Sequence, residues 1–388
     1  MHPIADPLLK GLRVYQVGGS VRDHLLGLPA DDQDFVVVGA TPQELLNRGF
    51  RSVGKDFPVF LHPVSGEEYA LARTERKQGR GYHGFSFNAG AEVTLEEDLA
   101  RRDLTINAMA LDADGKLIDP YNGRLDLQAG YLRHVTDAFR EDPVRILRLS
   151  RFAARFSDFE IASRTRELCR EMVQCGEADH LVPERIWQEM SRALMHESPS
   201  RFFDVLREVG ALKSVSPELF ELFSDPLRAR RSLLALDGAA KLKAPLPVRY
   251  AALVCAIPER LDSLANRLRL PTACRELAVL VAACRRSIHQ VDELDAEAVL
   301  GILQRLDVFR RPERMTDVLL ACQADAMAFE GGAVRVYRPA ERWQGLLRAA
   351  SSVDGGSVYR EGFRGRDVSR VLESRRLEAV RIAQAKGA

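Results

Sequence analysis

The chain of 388 residues has no apolar run of the roughly 18 residues that a membrane-crossing helix requires, which sets aside an integral membrane role. Its first residues, Met1 to Asp6, lack a basic segment leading into an apolar stretch, so no secretory signal is expected and the cytoplasm is the expected compartment. The six cysteines (Cys169, Cys175, Cys255, Cys274, Cys284 and Cys322) form no C-x-x-C pair. Free thiols are therefore expected, and a zinc site built from them is not. Histidine is scarce in the second half: of the eight, at 2, 24, 62, 83, 134, 180, 196 and 289, one lies beyond residue 196. No internal repeat and no low-complexity tract is visible. Nor does the net charge of +1 announce a nucleic-acid binder.

The distribution of charge says more than its sum. Residues 1–150 carry 18 Lys/Arg against 22 Asp/Glu, a net −4, whereas residues 335–388 carry 12 against 6, a net +6. An acidic end and a basic end suit a protein that works on a polyanion while gripping it elsewhere. A solvated helical surface would have the same composition. The length exceeds one ordinary core, so two or more domains are expected.

Pattern divides the chain in the same way. Up to about residue 137 short strand-like runs (Leu12–Val17, Phe35–Val38, and Val59–His62 turning at Ser65-Gly66 into Glu68–Ala72) alternate with helical segments. One helix is expected from Val21, one is capped by Thr41-Pro42, and Asp98–Ala110 reads as a longer one. Beyond residue 137 apolar positions recur at helical spacing in Pro143–Phe156, Ser163–Val173, Pro183–Met195, Ser200–Val209 and later segments. The expected class is α+β: an α/β head followed by about 250 residues that are mostly helix.

Chemistry concentrates in the head. Gly18-Gly19-Ser20-Val21-Arg22-Asp23 places a glycine turn after an apolar strand and before a helix, a geometry that lets backbone approach phosphate. Asp32 and Asp34 follow at i, i+2, which on a strand directs both carboxylates to one face and suits a shared divalent cation. A D-x-D pair alone could be a polar turn; after the glycine motif at this spacing it reads as a site for metal-dependent nucleotidyl transfer. Glu68, on a following strand, is the candidate third carboxylate, with a solvent-facing strand position the alternative. In Arg101-Arg102-Asp103-Leu104-Thr105-Ile106-Asn107, Arg102 could reach a triphosphate, or the segment could be an amphipathic helix bridged to Glu97 and Asp98.

A second cluster is Glu141-Asp142-Pro143-Val144-Arg145, continued by Arg148 and Arg151 at intervals of three. Asp142 could be simply a helix cap, and the arginines a solvated stripe. Asp142 and Arg145 at i, i+3 also set an acceptor beside a donor. Cytosine and adenine both present an amino donor beside a ring-nitrogen acceptor, whereas uracil and guanine present the reverse. A site built on this pair accepts CTP and ATP and leaves polar groups unpaired with UTP or GTP.

These residues resemble the bacterial class II CCA-adding enzymes, tRNA nucleotidyltransferases of the polymerase-β superfamily. The resemblance runs from about Val14 to Val209 and more loosely to the end. Leu25 to Val38 resembles the family's metal motif, Arg101 to Ala110 its second motif, Glu141 to Arg145 its amino-acid template, and Pro183 to Glu189 the segment that braces the neck helices. The resemblance implies Mg²⁺ on Asp32 and Asp34. It places nucleotide phosphate or sugar against Gly19, Arg22 and Arg102, the base on Asp142 and Arg145, and Arg148 and Arg151 along the nucleotide site. It also implies a head (1–137), neck (138–212), body (213–325) and basic tail (326–388) that embraces the tRNA elbow. The implied reaction adds C, C and A to tRNA from CTP and ATP, releasing pyrophosphate without a nucleic-acid template. Neither DNA nor a membrane is an expected partner.

Departures within the lineage refine this. Enzymes that stop after CC lack a flexible loop that Arg73 to Asn88 supplies here, and poly(A) polymerases carry a basic pair where Val53-Gly54-Lys55-Asp56-Phe57-Pro58 has one base. Some relatives carry a C-terminal HD phosphohydrolase domain built on His/Asp metal ligands; a single histidine beyond residue 196 cannot supply them, so no such activity is expected. The alternatives are a poly(A) or partial CC- or A-adding enzyme, and an inactive RNA-binding protein. The intact loop and motifs argue against both.

Overall fold

The computed structural model describes residues 6–29, 33–53, 59–77, 85–88, 90–329, 331 and 336–386. Asp32 and the segment from Gly54 to Pro58 lie outside these, as does the central part of the loop from Arg73 to Asn88. The chain forms two units: Met1–Glu189 with Arg201–Val215, and Met190–Ser200 with Ser216–Ala388.

The first unit opens with β1 (Arg13–Val17), α1 (Gly19–Leu25), β2 (Asp34–Val38) and α2 (Pro42–Asn47). Next come β3 (Arg51–Val53), β4 (Val59–Leu61), β5 (Glu68–Leu71) and the hairpin β6 (Thr74–Lys77) and β7 (Phe85–Asn88). Then follow α3 (Leu95–Ala100), β8 (Ala110–Leu111) and β9 (Leu117–Ile118). Among the described residues these make one sheet in the order β3-β4-β5-β2-β1-β8-β9, with β6-β7 pairing separately. In β2 every second residue faces the same way. Phe35 and Val37 pack with Tyr69, Leu71 and Phe60 on one face, while Val36 and Val38 pack with Ala72, Leu95 and Leu99 on the other.

The helix expected over Asp98–Ala110 is a correction. α3 starts at a Thr94 capping box closed by Glu97 and ends at Ala100. Leu104 is extended, Thr105–Asn107 form one 3₁₀ turn, and Ala110 enters β8. Leu104, Ile106, Ala108, Met109 and Ala110 are all fully buried, and no single helical face can bury so many successive positions. Asp103 and Asn107 still meet, with Asn107 Nδ2 donating to Asp103 Oδ1 at 3.0 Å, but across a turn.

The remainder of this unit holds α4 (Gly123–Ala129), the two-residue strands β10 (Tyr131–Leu132) and β11 (Glu160–Ile161), and α5 (Val144–Arg155). After these come α6 (Ser163–Gln174), α7 (Pro183–Leu194), α8 (Ser200–Glu208) and α9 (Leu212–Val215), α7 ending in the second unit. Helices α5 to α8 fall within a residue or two of where apolar spacing puts them, whereas α4 and α9 are not read from it.

From Ser216 the described residues are helical throughout. They form α10 (Pro217–Leu222), α11 (Pro226–Lys241), α12 (Leu246–Val254), α13 (Leu261–Leu268) and α14 (Thr272–His289). These are followed by α15 (Ala296–Arg305), α16 (Glu313–Phe329), α17 (Arg338–Ser351), α18 (Gly355–Arg360) and α19 (Arg366–Lys386). Helices α11 and α16 approach so closely at Gly238 that a Cβ there would sit 3.3 Å from the Ala324 carbonyl oxygen. Trp343 of α17 is fully buried and donates from Nε1 to the Ile288 carbonyl at 3.0 Å. The cysteines are free thiols, and burial raises those of Cys255 and Cys274 to about 11.

Candidate active site

The sheet brings two of the expected carboxylates together. Asp34 opens β2 and Glu68 opens the parallel neighbour β5, and the two are direct partners in the register. Both are exposed and share the face of Val36 and Val38. Gly18 lies beyond the end of β1 at φ +75° and ψ −134°, a conformation that side chains other than glycine's resist. A Cβ on Gly18 would lie 2.9 Å from Arg102 Nη1 and 4.0 Å from Asp34 Oδ2. The glycine turn, a metal-ligand candidate and an arginine thus converge on one spot. Gly18→Ala is expected to lower nucleotidyl transfer at least about tenfold with little loss of fold, because it combines backbone strain with displacement of Arg102. Steady-state incorporation and a thermal melt of the same preparation check this.

Among the described residues no three His, Cys, Asp or Glu side chains cluster as metal ligands; Asp32 lies outside them. The donor set offered by Asp34 and Glu68 is carboxylate oxygen only, which fits a hard divalent cation rather than zinc.

Arg102 is fixed from behind. Asp98, on α3, is completely buried and accepts from Arg102 Nη2 at 3.1 Å through one oxygen and from Arg101 at 2.7 Å through the other. Burial alone would raise the Asp98 carboxyl; Arg102 and Arg101 outweigh it and hold the group below its ordinary value.

Arg22 points inward. It is 3% exposed; Nε and Nη2 donate to Asp23 at 2.9 Å, Nη1 donates to Asn107 at 2.5 Å, and the guanidinium lies 5.3 Å from the rings of Phe152 and Phe156. It ties α1 to α5. Gly19 opens α1, and a Cβ there would touch Arg22 Nη2 at 3.4 Å.

The arginines of α5 are not a solvated stripe. Arg148 pairs with Asp103 at 2.6 Å, Arg151 with Glu189 at 2.5 Å and Arg155 with Asp23 at 3.0 Å, so three carboxylates from three other segments neutralise one helix face. Burial would raise Asp103, but Arg148, Asn107 and the Leu104 amide drive its carboxyl far below the ordinary range. At the start of α5, Asp142 accepts from the Val144 amide at 3.0 Å, as a cap does, and also from Arg185 Nη1 at 3.1 Å and Nη2 at 2.8 Å. Arg145, 7% exposed, donates to the Ala138 carbonyl at 3.1 Å. The fork from Arg185 to Asp142 joins two segments 43 residues apart, and no local spacing announces it.

In the second unit, His289 bonds Asp325 at 3.1 Å and accepts or donates with Tyr337 at 2.8 Å. Arg231 grips both Asp325 oxygens at 2.9 Å and Arg285 lies 3.7 Å away.

Comparison with known proteins accords with this geometry. Residues 14–133 match the poly A polymerase head domain, and residues 158–223 the family described as probable RNA and SrmB-binding site of polymerase A. The multifunctional CCA protein of Acidovorax ebreus is 49% identical, covering 95% of this chain and 96% of that one. That of Paracidovorax citrulli is 51% identical over 89% of this chain and 91% of its own. The chain belongs to the multifunctional CCA protein family. Its fold is also that of a CCA-adding enzyme solved in an apo form (TM-score 0.71, 22% identity, covering 95% and 88% of the two chains). The Bacillus stearothermophilus CCA-adding enzyme in complex with CTP has a TM-score of 0.70 at 24% identity, over 98% and 93%. The Thermotoga maritima CCA-adding enzyme complexed with tRNA has 0.70 at 21%, over 100% and 95%. The α+β class and the resemblance read from the sequence are borne out, and membership in a nucleotidyltransferase family implies a divalent metal. Among the described residues no helix is long and apolar enough to cross a membrane.

Proposed function

We propose that this chain builds and repairs the 3′-terminal CCA of tRNA, taking CTP and ATP as substrates in the cytoplasm. The observation that carries the proposal is the convergence of Asp34, Gly18 and Arg102, in a chain whose relatives at 49% identity are named multifunctional CCA proteins. CTP and tRNA are bound by structural neighbours of the same fold.

In the proposed reaction the tRNA 3′-oxygen bonds to the α-phosphorus, its proton leaves, and the bond to the β-phosphate breaks to release pyrophosphate. A divalent cation, proposed to be Mg²⁺ on Asp32 and Asp34 with Glu68 beside them, would favour the ionised hydroxyl and neutralise the charge growing on the phosphoryl oxygens. Arg102 is assigned the nucleotide phosphates and Gly19 the close backbone approach to phosphate or sugar. Asp142 accepts from the amino group of cytosine or adenine and Arg145 donates to the ring nitrogen. Arg185 keeps Asp142 oriented, and Asp142 Oδ2, which receives one guanidinium bond, retains a lone pair for a base. Arg22 is assigned the nucleotide's phosphate or sugar and Arg148 and Arg151 the lining of the nucleotide site, while the Arg148 pair with Asp103 and the Arg22 contacts with Phe152 and Phe156 hold α5 against the head. The proposed division is a head to residue 137, a neck to 212, a body to 325 and a basic tail that grips tRNA.

The test is to incubate tRNA lacking its CCA end with all four nucleoside triphosphates and to sequence the 3′ ends. CCA followed by a stop is expected; a run of A or a stop after CC would contradict the proposal. A hydrolytic second activity is not expected, because the one histidine beyond residue 196 meets a carboxylate already gripped by Arg231. Purified protein with Mn²⁺ or Ni²⁺ should leave 2′,3′-cyclic AMP intact, and metal-dependent turnover of it would overturn that expectation.

A further inference from the structure

Asp98 stands out because it is a completely buried carboxylate that joins two parts of the head without itself reaching the nucleotide. Its Oδ2 accepts from Arg102 Nη2 at 3.1 Å. Its Oδ1 accepts from Arg101 Nε at 3.0 Å and Nη2 at 2.7 Å, and from the backbone amide of Arg73 at 3.3 Å. Arg73 is the first residue after β5 and Ala72, where the chain leaves the sheet for the hairpin of β6 and β7. The other side of the Arg102 guanidinium faces Gly18 and Asp34, and its buried Nε has no hydrogen-bond partner among the described residues. An arginine side chain has several rotatable bonds to order, and a charge-assisted bond from one guanidinium nitrogen to a buried carboxylate restricts them before substrate arrives.

We propose that Asp98 is a positioning residue for nucleotidyl transfer. It aims Arg102 across Gly18 at the place of the nucleotide phosphates and pins the root of the loop that starts at Arg73. The inference rests on the proposed function, since it takes Arg102 to bind phosphate. A buried carboxylate that only stabilises the fold could make the same contacts, and the two roles separate experimentally.

Asp98→Asn keeps the shape and, with its oxygen left toward Arg73 and Arg101, turns an amide N–H₂ toward Arg102. Steady-state kinetics on tRNA lacking CCA, run well below each variant's melting temperature, should show KM for CTP rising about 10- to 100-fold. KM for tRNA should stay within about twofold. In a double-mutant cycle Arg102→Gln should raise KM for CTP similarly, and adding Asp98→Asn to it should have little further effect. Arg101→Gln, which removes the other partner of the same carboxylate, should lower the melting temperature and leave KM for CTP near that of the parent. Asp98→Glu should recover part of the loss. A parent-like KM for CTP in Asp98→Asn, or independent effects of Asp98→Asn and Arg102→Gln, would overturn the inference. Failure of the parent protein itself to add C would instead overturn the proposed function.

Discussion

Alanine at Asp34 lowers CMP incorporation by about 10³-fold or more, on the order of 4 kcal/mol of transition-state stabilisation, while tRNA affinity changes little. The size follows from placement. Asp34 starts β2 beside Glu68 in the register and lies next to the Gly18 turn and Arg102, where the metal and the nucleotide phosphates are proposed to meet. Because Asp34 is exposed, its loss opens no cavity in the core, and the melting temperature should move only slightly. Asp32→Ala is expected to behave in the same way. Single-turnover incorporation together with a tRNA-binding titration checks both. A variant that keeps the parent rate would remove Asp34 from the metal site, and one that loses tRNA binding as well would point to a collapsed head.

Removing the base-reading pair has a different signature. Asp142→Ala takes away the acceptor for the amino group, so discrimination between CTP and UTP should shrink by about 10²-fold or more, with selection of ATP over GTP falling too. Arg145→Ala should lose selectivity in the same direction but with more destabilisation, because Arg145 is nearly buried and holds the Ala138 carbonyl. Competition assays with paired nucleotides read the ratio directly. Selectivity unchanged in Asp142→Ala would place base reading elsewhere.

How much of this was legible in the sequence depends on how local each signal was. The strand pair, the glycine turn and the helices between Pro143 and Val209 are read from spacing that a short window contains. The segment from Asp98 to Ala110 misled, since its apolar residues satisfy helical spacing while their complete burial follows from contacts a window cannot hold. The carboxylate pair was legible because i, i+2 on a strand has one geometric outcome. The partners of the α5 arginines were not: Asp103, Glu189 and Asp23 are separated from them in sequence by up to 132 residues and meet them only in the folded head. Spacing shows Arg148 and Arg151 only as a basic stripe, the family resemblance alone places them along the nucleotide site, and the fold supplies each with a carboxylate that spacing could not reveal. Asp98 was visible as a salt-bridge partner of the arginine pair, but the link to Arg73 appears only once β5 and α3 are placed side by side.

The central claim is that a protein surface, with no nucleic-acid template, chooses the base. Single-nucleotide extension measures it most directly. tRNA ending before the CCA, or after its first C, or after CC, is offered CTP, ATP, UTP or GTP one at a time, and kcat/KM is compared at each stage. CTP is expected at the first two stages, ATP at the third, and UTP and GTP poorer by at least about 10³-fold throughout. Comparable use of all four nucleotides at any stage, or growth of the chain beyond A, would contradict it.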